Sequence, residues 1–312
     1  MSDRDSDVIA ADARARIFEP GYRTYRGVRL GVAHSVWTLA RHTAERILGL
    51  KRPARYKVLP FAAILIAYLP AIAFIGIVAL IPNGLQRLPN LIPGPGRYYG
   101  FITAAIVLFA ALAAPEALCP DKRSHFLGLY LSSPLNRSTY LLAKAIAVIG
   151  VLLLVTLGPP LLLVVGLALQ NDGPRSFGAF METLGQILAA GLSLSLMFGA
   201  LSLAIPSLTD RRGIASAGSL LLILGSTAIT NVIAFGVHGP RNVLALSLGR
   251  LPFELALRIF GLNGLSTRFR GGLGSPNGSP LSTVVVVAAS VGVTLVAAAV
   301  TWWRVVGTEV TR

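Results

Sequence analysis

The sequence predicts an all-α polytopic membrane protein with about six transmembrane helices. Hydrophobic residues make up 54% of the 312 residues, whereas charged residues make up 13%. A soluble domain is typically about one quarter charged, so this chain has too few charged side chains to cover a water-facing surface. Its apolar residues also gather in segments long enough to cross a hydrocarbon core of about 30 Å. A lipid bilayer is therefore the solvent that fits this composition.

The net charge is strongly positive, because 28 Lys and Arg residues face 13 Asp and Glu residues. In a soluble protein this excess of positive charge would suggest binding to nucleic acid. Here the basic residues lie between and beside the apolar segments, as the positive-inside rule expects. No basic globular module with interleaved aromatic residues accompanies them. We therefore expect membrane lipid, and no nucleic acid, as a partner.

The chain divides into a cytoplasmic head, residues 1–57, and a transmembrane domain, residues 58–312. Within the head, residues 31–50 predict an amphipathic helix with Val36 and Leu39 near its apolar face. A basic amphipathic helix just before a span usually lies in the membrane interface. It would serve either as an anchor on anionic lipid or as an elbow helix that braces the bundle, and the sequence leaves both open.

Six spans follow from the apolar pattern. Their predicted bounds are 58–81, 100–119, 141–169, 177–205, 214–237 and 281–306. The third contains Pro159 and Pro160, which should kink the helix or split it in two. Between the last two spans, residues 238–280 hold apolar runs that are too short to span alone and suit re-entrant or interfacial helices.

Small residues recur every four positions in the fourth span, at Gly191, Ser195 and Gly199. Such a stripe lets another helix approach closely. We expect it to serve helix packing. The alternative is a polar seam that faces a substrate and includes Ser193 and Ser202.

The distribution of basic residues predicts the orientation. Most Lys and Arg residues fall on the side of the N-terminus, which the positive-inside rule assigns to the cytoplasm. Trp302, Trp303 and Arg304 form an interfacial anchor at the end of the sixth span. The sequence therefore predicts a multi-pass protein of the cell membrane with both termini in the cytoplasm.

Catalytic motifs are absent from the sequence. It contains no G-x-x-x-x-G-K-[ST] phosphate loop, no His/Cys/Asp/Glu group at metal-ligand spacing and no nucleophile elbow. The chain is therefore not expected to be an enzyme, to hold a metal or to carry a cofactor. Its ionisable residues Glu116, Lys144 and Glu182 lie near helix ends, which disfavours an ion-coupled carrier. A transporter of this kind would need an energy source in another subunit.

Residues 114–144 carry a motif, APEALCPDKRSHFLGLYLSSPLNRSTYLLAK. It resembles the conserved region of ABC-2 type transporter permeases, the transmembrane subunits of ABC exporters. That family typically shows a carboxylate near the end of the second span, a basic turn, a leucine-rich segment, a small-small-Pro turn, an Arg, and a Lys at the start of the third span. These places are taken here by Glu116, Lys122 and Arg123, Leu127 to Leu131, Ser132-Ser133-Pro134, Arg137 and Lys144. The chain departs from the pattern at His125-Phe126, where family members commonly have Gly-Thr.

The resemblance implies a mechanism. Two separate ATPase subunits, which would hold ATP and Mg, would dock beneath this permease and a second copy or a related permease. The residues that would couple to the ATPase are Lys122, Arg123, Phe126, Leu127, Tyr130, Arg137 and Arg211. Glu116 and Lys144 would be polar residues at helix ends or at a gate.

Three functions are compatible with the sequence. The first is an exporter permease that moves an apolar or amphipathic substrate, since the spans offer few charges to a ligand. The second is a passive channel or facilitator, which would conduct without a partner. The third is a membrane-embedded enzyme or assembly factor, for which Glu116, Asp121 and His125 form the nearest approach to a polar cluster.

Overall fold

The computed structural model describes residues 31–80, 93–123, 135–170, 172–174, 176–237, 239–262 and 281–307. These residues are 86% helical and contain no strand, which confirms the predicted all-α class. Contacts between residues divide the chain into two compact units, Met1–Gly31 and Val32–Arg312. All the helices described below belong to the second unit.

The helices are, in chain order, α1 (Val32–Ile47), α2 (Val58–Leu80), α3 (Pro95–Arg123), α4 (Arg137–Thr156), α5 (Gly158–Leu169), α6 (Phe177–Leu208), α7 (Arg212–Asn231), α8 (Leu251–Ile259) and α9 (Thr283–Gly307). Short 3-10 turns occupy Ala54–Tyr56 and Arg241–Leu246, and a π-helical turn, Val232–Gly236, extends α7. Within the described residues, six helical stretches are long and apolar enough to cross a membrane, namely α2, α3, α4 with α5, α6, α7 with its π-helical turn, and α9. This confirms the predicted number of spans.

The second span, α3, is longer at both ends than the predicted 100–119. Pro95 occupies the first helical position, where a proline loses no intrahelical hydrogen bond. At the other end the helix continues through Pro115 and Pro120 to Arg123. Prolines are tolerated inside membrane helices because neighbouring helices satisfy the carbonyl groups that they leave without a donor.

The double proline splits the third span. α4 ends at Thr156 and α5 begins at Gly158, so Pro159 and Pro160 lie in the first turn of α5. Backbone N–H groups in a first turn have no intrahelical acceptor, and prolines are accepted there for that reason. The third span thus consists of two consecutive helices, α4 and α5, as the double proline predicted.

The central helices are α3 and α6. In α3, 76% of the most apolar 18-residue window is buried, against 22% in α2 and 17% in α9. The outer helices expose large apolar side chains, for example Leu65 on α2, Leu221 on α7 and Val284 on α9. Such surfaces are stable only against hydrocarbon or against another apolar protein surface.

The amphipathic helix α1 packs against the bundle, where it contacts α4 and α3. Its buried face includes Val36, Leu39, Thr43 and Ile47, whereas Trp37 is exposed on the other side. The apolar stripe of α1 is therefore covered by protein, which favours the bracing role over that of a simple lipid anchor.

The segment between α7 and α9 enters the bundle. The Ser247 hydroxyl donates to Thr227 Oγ1 at 3.2 Å, and the Gly249 backbone N–H donates to the same oxygen at 3.1 Å. A Cβ atom at Gly249 would lie 2.5 Å from that oxygen, so only glycine fits this approach. The segment follows Gly236, and Thr227 lies nine residues before Gly236, about 13 Å along the helix at 1.5 Å per residue. The tip of the segment is therefore well inside the bundle.

The same segment then returns through α8. Near the start of α8, the Phe253 ring packs against Phe198 of α6, with 5.7 Å between centroids. Just after α8, Phe260 packs against Tyr99 at the start of α3, with 6.2 Å between centroids. That end of the bundle is opposite the end where α7 begins. The described part of this segment, residues 239–262, thus folds into the bundle and back towards the end where α7 finishes, and we call it the re-entrant hairpin. This path favours the re-entrant alternative over the interfacial one.

The stripe of small residues on α6 faces α4 and the residue that follows it. A Cβ atom at Gly191 would lie 2.1 Å from Leu157 Cδ2, and one at Gly199 would lie 3.0 Å from Ile149 Cγ1. Between them the buried Ser195 and Thr156 hydroxyls are hydrogen bonded at 2.8 Å. These positions hold two backbones close together, as small-residue stripes do in membrane helices.

We predict that Gly191→Leu destabilises the bundle, because the added side chain would overlap Leu157. Overpacking a tight contact typically costs about 1–3 kcal/mol. The measurement is thermal unfolding of the purified protein in detergent. Gly185→Leu is the matched control, since Gly185 lies on α6 and a Cβ atom there would have nothing within 4 Å. Equal melting temperatures for the two variants would contradict the packing role.

Candidate functional site

Several helix termini meet at one end of the bundle, which we call the basic end. Lys122, near the end of α3, donates from Nζ to the carbonyl oxygens of Pro206 at 3.1 Å and Ser207 at 2.6 Å, in the last turn of α6. Arg137, the first residue of α4, donates to the Val306 carbonyl near the end of α9. Cations placed at helix C-termini satisfy carbonyl groups that have no intrahelical donor. These bonds tie four helix ends together.

Asp121 is the centre of the basic end and is almost completely buried, at 1% exposure. Its Oδ2 atom lies 2.6 Å from Lys144 Nζ on α4, and its Oδ1 atom accepts a hydrogen bond from Arg46 Nη1 on α1 at 2.7 Å. The Tyr140 hydroxyl also donates to Oδ2 at 3.0 Å. One carboxylate therefore joins α1, α3 and α4.

Lys144 is fully buried about two turns into α4. Besides Asp121, its ammonium donates to Thr43 Oγ1 at 3.0 Å and lies 5.3 Å from the centroid of the Tyr140 ring. Removing a charge from water costs several kcal/mol unless an opposite charge and further hydrogen bonds compensate. The partners from α1 and α3 supply that compensation, so the position of α1 is fixed by an electrostatic requirement as well as by apolar packing.

Glu116 lies on α3 about one and a half turns before Asp121 and is also buried. It pairs with Arg52, in the turn after α1, and its Oε2 atom lies 2.6 Å from Arg212 Nη1 at the start of α7. Arg46 links the two carboxylate sites, because its Nη2 atom donates to the Ala117 carbonyl at 2.9 Å. We call this network the basic-end cluster; its members are Arg46, Arg52, Glu116, Asp121, Lys144 and Arg212.

The basic-end cluster is a clamp, because its ion pairs join side chains from four separate parts of the chain. Each carboxylate faces two cations, Asp121 facing Arg46 and Lys144 and Glu116 facing Arg52 and Arg212. Among the described residues, no group of three or more His, Cys, Asp or Glu residues is arranged to hold a metal ion. The network instead connects α1, α3, α4 and α7 at a single level of the bundle.

A cavity of about 290 Å³ adjoins the cluster. One wall is charged and includes Arg46, Arg52, Arg212 and Glu116. The remaining lining residues are mainly apolar, and they are Ile47, Tyr56, Leu59, Pro60, Phe109, Leu112 and Ala113. Its volume is near the lower limit of typical small-molecule sites, about 300 Å³.

The residues predicted to couple to an ATPase occupy different environments. Lys122 and Arg137 are partly exposed and bond to backbone carbonyls at the ends of α6 and α9, as described above, whereas Arg123 and Arg211 are exposed at the basic end. Phe126, Leu127 and Tyr130 lie outside the described residues. The predicted stripe residues Gly191, Ser195 and Gly199 lie at the contact of α6 with α4.

The two predicted helix-end residues enter the cluster through different partners. Glu116 pairs with arginines, whereas Lys144 pairs with Asp121. Sequence reasoning missed Arg46, Arg52 and Arg212 as their partners, because those three come from segments distant in sequence. The signal for the cluster in the sequence was weak. It consisted of carboxylates and a lysine at the edges of apolar spans, with no opposite charge nearby in the same span.

A second ion pair inside the bundle was also missed. Arg250 and Glu254 are both buried in the re-entrant hairpin, with Nε and Nη2 of Arg250 donating to Glu254 Oε1 at 3.0 and 2.8 Å. We expected ionisable residues of the spanning region to lie near helix ends. This does not hold for Arg250 and Glu254 in the hairpin. The spacing of four residues between opposite charges was a readable signal for this pair.

The fold and the site together define a multi-pass helical membrane protein with a charged clamp at one end. The family described as "ABC-2 family transporter protein" matches residues 13–305. The chain therefore belongs to the ABC-2 type permease family, as its motif predicted. A comparison with curated proteins returned no match.

We predict that Asp121→Asn strongly destabilises the protein, because it leaves the buried Lys144 ammonium without its carboxylate. Removing one partner of a buried ion pair typically costs about 3–5 kcal/mol. Thermal unfolding in detergent measures the loss. Asp210→Asn is the matched control, since Asp210 is an exposed carboxylate at the same end.

Adding Lys144→Met to Asp121→Asn should restore a large part of the lost stability, because an apolar replacement of a buried ion pair is often neutral. A double variant as unstable as Asp121→Asn alone would show that the buried charge is not the cause.

Proposed function

We propose that this chain is the transmembrane permease subunit of an ATP-driven ABC exporter and that separate ATPase subunits power it. Membership of the ABC-2 family supports a role in transport, and the missing phosphate loop supports an ATPase on another chain. The observation that carries the proposal is the basic-end cluster, which connects the helices on both sides of the predicted coupling segment.

The basic end is the cytoplasmic end in this proposal. Basic residues near spans favour the cytoplasmic side, and exposed Arg123 and Arg211 are at this end. Trp302 and Trp303 are exposed there, and the Arg304 guanidinium lies 5.9 Å from the centroid of the Trp303 ring. This combination is typical of a membrane–water interface. Both termini then lie in the cytoplasm, and the protein is a multi-pass protein of the cell membrane.

The coupling segment runs from Lys122 to Arg137. Its apolar anchors in the ATPase groove are Phe126, Leu127 and Tyr130, and Arg123 and Arg211 add basic contacts. Because Lys122 holds the end of α6 and Arg137 holds the end of α9, a displacement of the segment would act on four helix ends at once. This arrangement supports a rigid-body transition of the basic end when ATP closes the ATPase subunits.

The complete exporter contains two ATPase subunits, which bind ATP and Mg, and a second copy of this permease or a related one. Outer helices with exposed apolar side chains, such as α2 and α9, offer surfaces for such pairing. The cargo is apolar or amphipathic, because the buried charges among the described residues are paired with one another. Arg250 and Glu254 neutralise each other inside the hairpin, and Asp121 is matched by Arg46 and Lys144.

The direct test is transport in vesicles that contain the permease with its ATPase, using an apolar fluorescent probe as cargo. We expect transport that requires ATP and stops when the phosphate-loop lysine of the ATPase is replaced. Transport by the permease alone, without ATPase or ATP, would favour a passive facilitator and contradict the proposal.

Arg123→Glu distinguishes coupling from folding in the same assay. We expect the charge reversal to weaken ATPase binding at least about tenfold, equivalent to about 1.4 kcal/mol, with an unchanged melting temperature. Arg97→Glu is the matched control, because Arg97 is exposed on the same helix at the opposite end. A similar loss of ATPase binding in both variants would remove the coupling role from Arg123.

A further inference from the structure

The cavity beside the basic-end cluster has an uneven distribution of charge. Arg52 and Arg212 share the single carboxylate of Glu116. Asp121 does not supply the missing negative charge, since Arg46 and Lys144 already face it. The four cations and two carboxylates of the cluster therefore leave a formal net charge of +2 beside the cavity.

Unbalanced positive charge at a partly buried site favours the binding of an anion. A guanidinium carries five N–H donors in a planar fork that matches phosphate and carboxylate oxygens. Within the described part of the chain, Glu116 is the side chain that pairs with Arg212. Arg52 contacts Glu116 and the ring of Tyr56. Both arginines retain donors for a second anion at the cavity wall.

The apolar part of the cavity points away from the charged wall. Phe109, Leu112 and Glu116 recur at intervals of three and four residues on α3, so they lie on one helix face. Phe109 is farthest from the basic end, and Glu116 is nearest. Leu59 lines the cavity from the first turn of α2 and is 45% exposed. Tyr56, which also lines the cavity, is 39% exposed. The cavity thus changes from charged to apolar along the bundle axis, and its rim is open beside the first span.

We propose that this cavity binds one anionic phospholipid of the surrounding bilayer. The phosphate headgroup bridges Arg52 and Arg212, and the beginning of an acyl chain lies along Leu59, Leu112 and Phe109. A volume of about 290 Å³ receives the headgroup and the first part of a chain, and the rest of the lipid remains in the bilayer. This binding needs neither ATPase nor cargo, so it goes beyond the transport function and is tested without them.

The test compares the full chain in a neutral detergent with added phosphatidylglycerol, phosphatidylcholine or glycerol phosphate. A ligand that binds the folded state raises its stability by RT ln(1 + [L]/Kd). We expect phosphatidylglycerol to raise the melting temperature and to remain bound in native mass spectra at one copy per chain. Phosphatidylcholine and glycerol phosphate should do neither, because the first lacks net charge and the second lacks a chain.

Two variants remove different halves of the site. Arg52→Gln with Arg212→Gln removes the headgroup contacts, and Leu112→Trp fills the apolar part while keeping every charge. Both should weaken phosphatidylglycerol binding at least tenfold. Arg41→Gln is the control, since Arg41 is an exposed arginine of α1 that does not line the cavity.

For Glu116→Gln we expect the opposite change in phosphatidylglycerol binding. This variant keeps both arginines, so it tests the site even if the arginine variant does not fold. It removes the competing carboxylate and should tighten phosphatidylglycerol binding. Loss of binding in this variant would overturn the proposal, as would wild-type binding in Leu112→Trp. Equal stabilisation by glycerol phosphate would identify a free-anion site and would also overturn it.

Discussion

The buried contact between Asp121 and Lys144 is the constraint on which the basic end of this bundle depends. A fully buried ammonium is stable only with a carboxylate and further acceptors close by. Asp121 and Thr43 meet that need from two other helices. α1 must therefore stay docked on α4 and α3. Without this contact α1 would be an amphipathic helix free to lie on the membrane surface, and the turn that follows it would not bring Arg52 to Glu116.

The rest of the clamp follows from that docking. Arg46 holds Asp121 and the Ala117 carbonyl together, and Glu116 extends the connection to α7 through Arg212. Each link joins elements that are far apart in sequence but adjacent at one end of the bundle. The helix ends thus form a unit in which a displacement of one element acts on the others. A connected network of this kind suits a membrane subunit whose helix ends at the basic end move together.

Composition and periodicity carried the prediction of the fold. The apolar segments predicted the six spans because a bilayer imposes a minimum length on each, and the prolines at 159 and 160 predicted the break in the third span. The small-residue stripe at Gly191 was readable for the same local reason. The ends of α3 could not be predicted in this way. The helix continues through Pro115 and Pro120 because neighbouring helices satisfy the freed carbonyl groups, and the sequence of α3 alone does not show where those helices lie.

The site was less readable than the fold. Glu116 and Lys144 stood out as ionisable residues at span edges, but their partners come from α1 and α7 and could be assigned only from the packing. Arg250 and Glu254 lie in a segment whose apolar runs are its strongest sequence signal. The spacing of four residues between their opposite charges is a weaker signal, and it did not lead to a prediction of the pair. Buried ion pairs are set by three-dimensional proximity, which is why sequence patterns found single members and not the network.

The most direct test of the clamp is a distance measurement between α1 and α7 across the ATPase cycle. Spin labels on Arg41→Cys and Gly213→Cys, in a Cys119→Ala background, report this distance within one chain. Both positions are exposed, and Gly213 has nothing within 4 Å of a Cβ atom. We expect the same distance distribution with and without trapped ATP, because the clamp moves as one body. A shift between α1 and α7 on trapping ATP, with the clamp residues unchanged, would contradict the clamp.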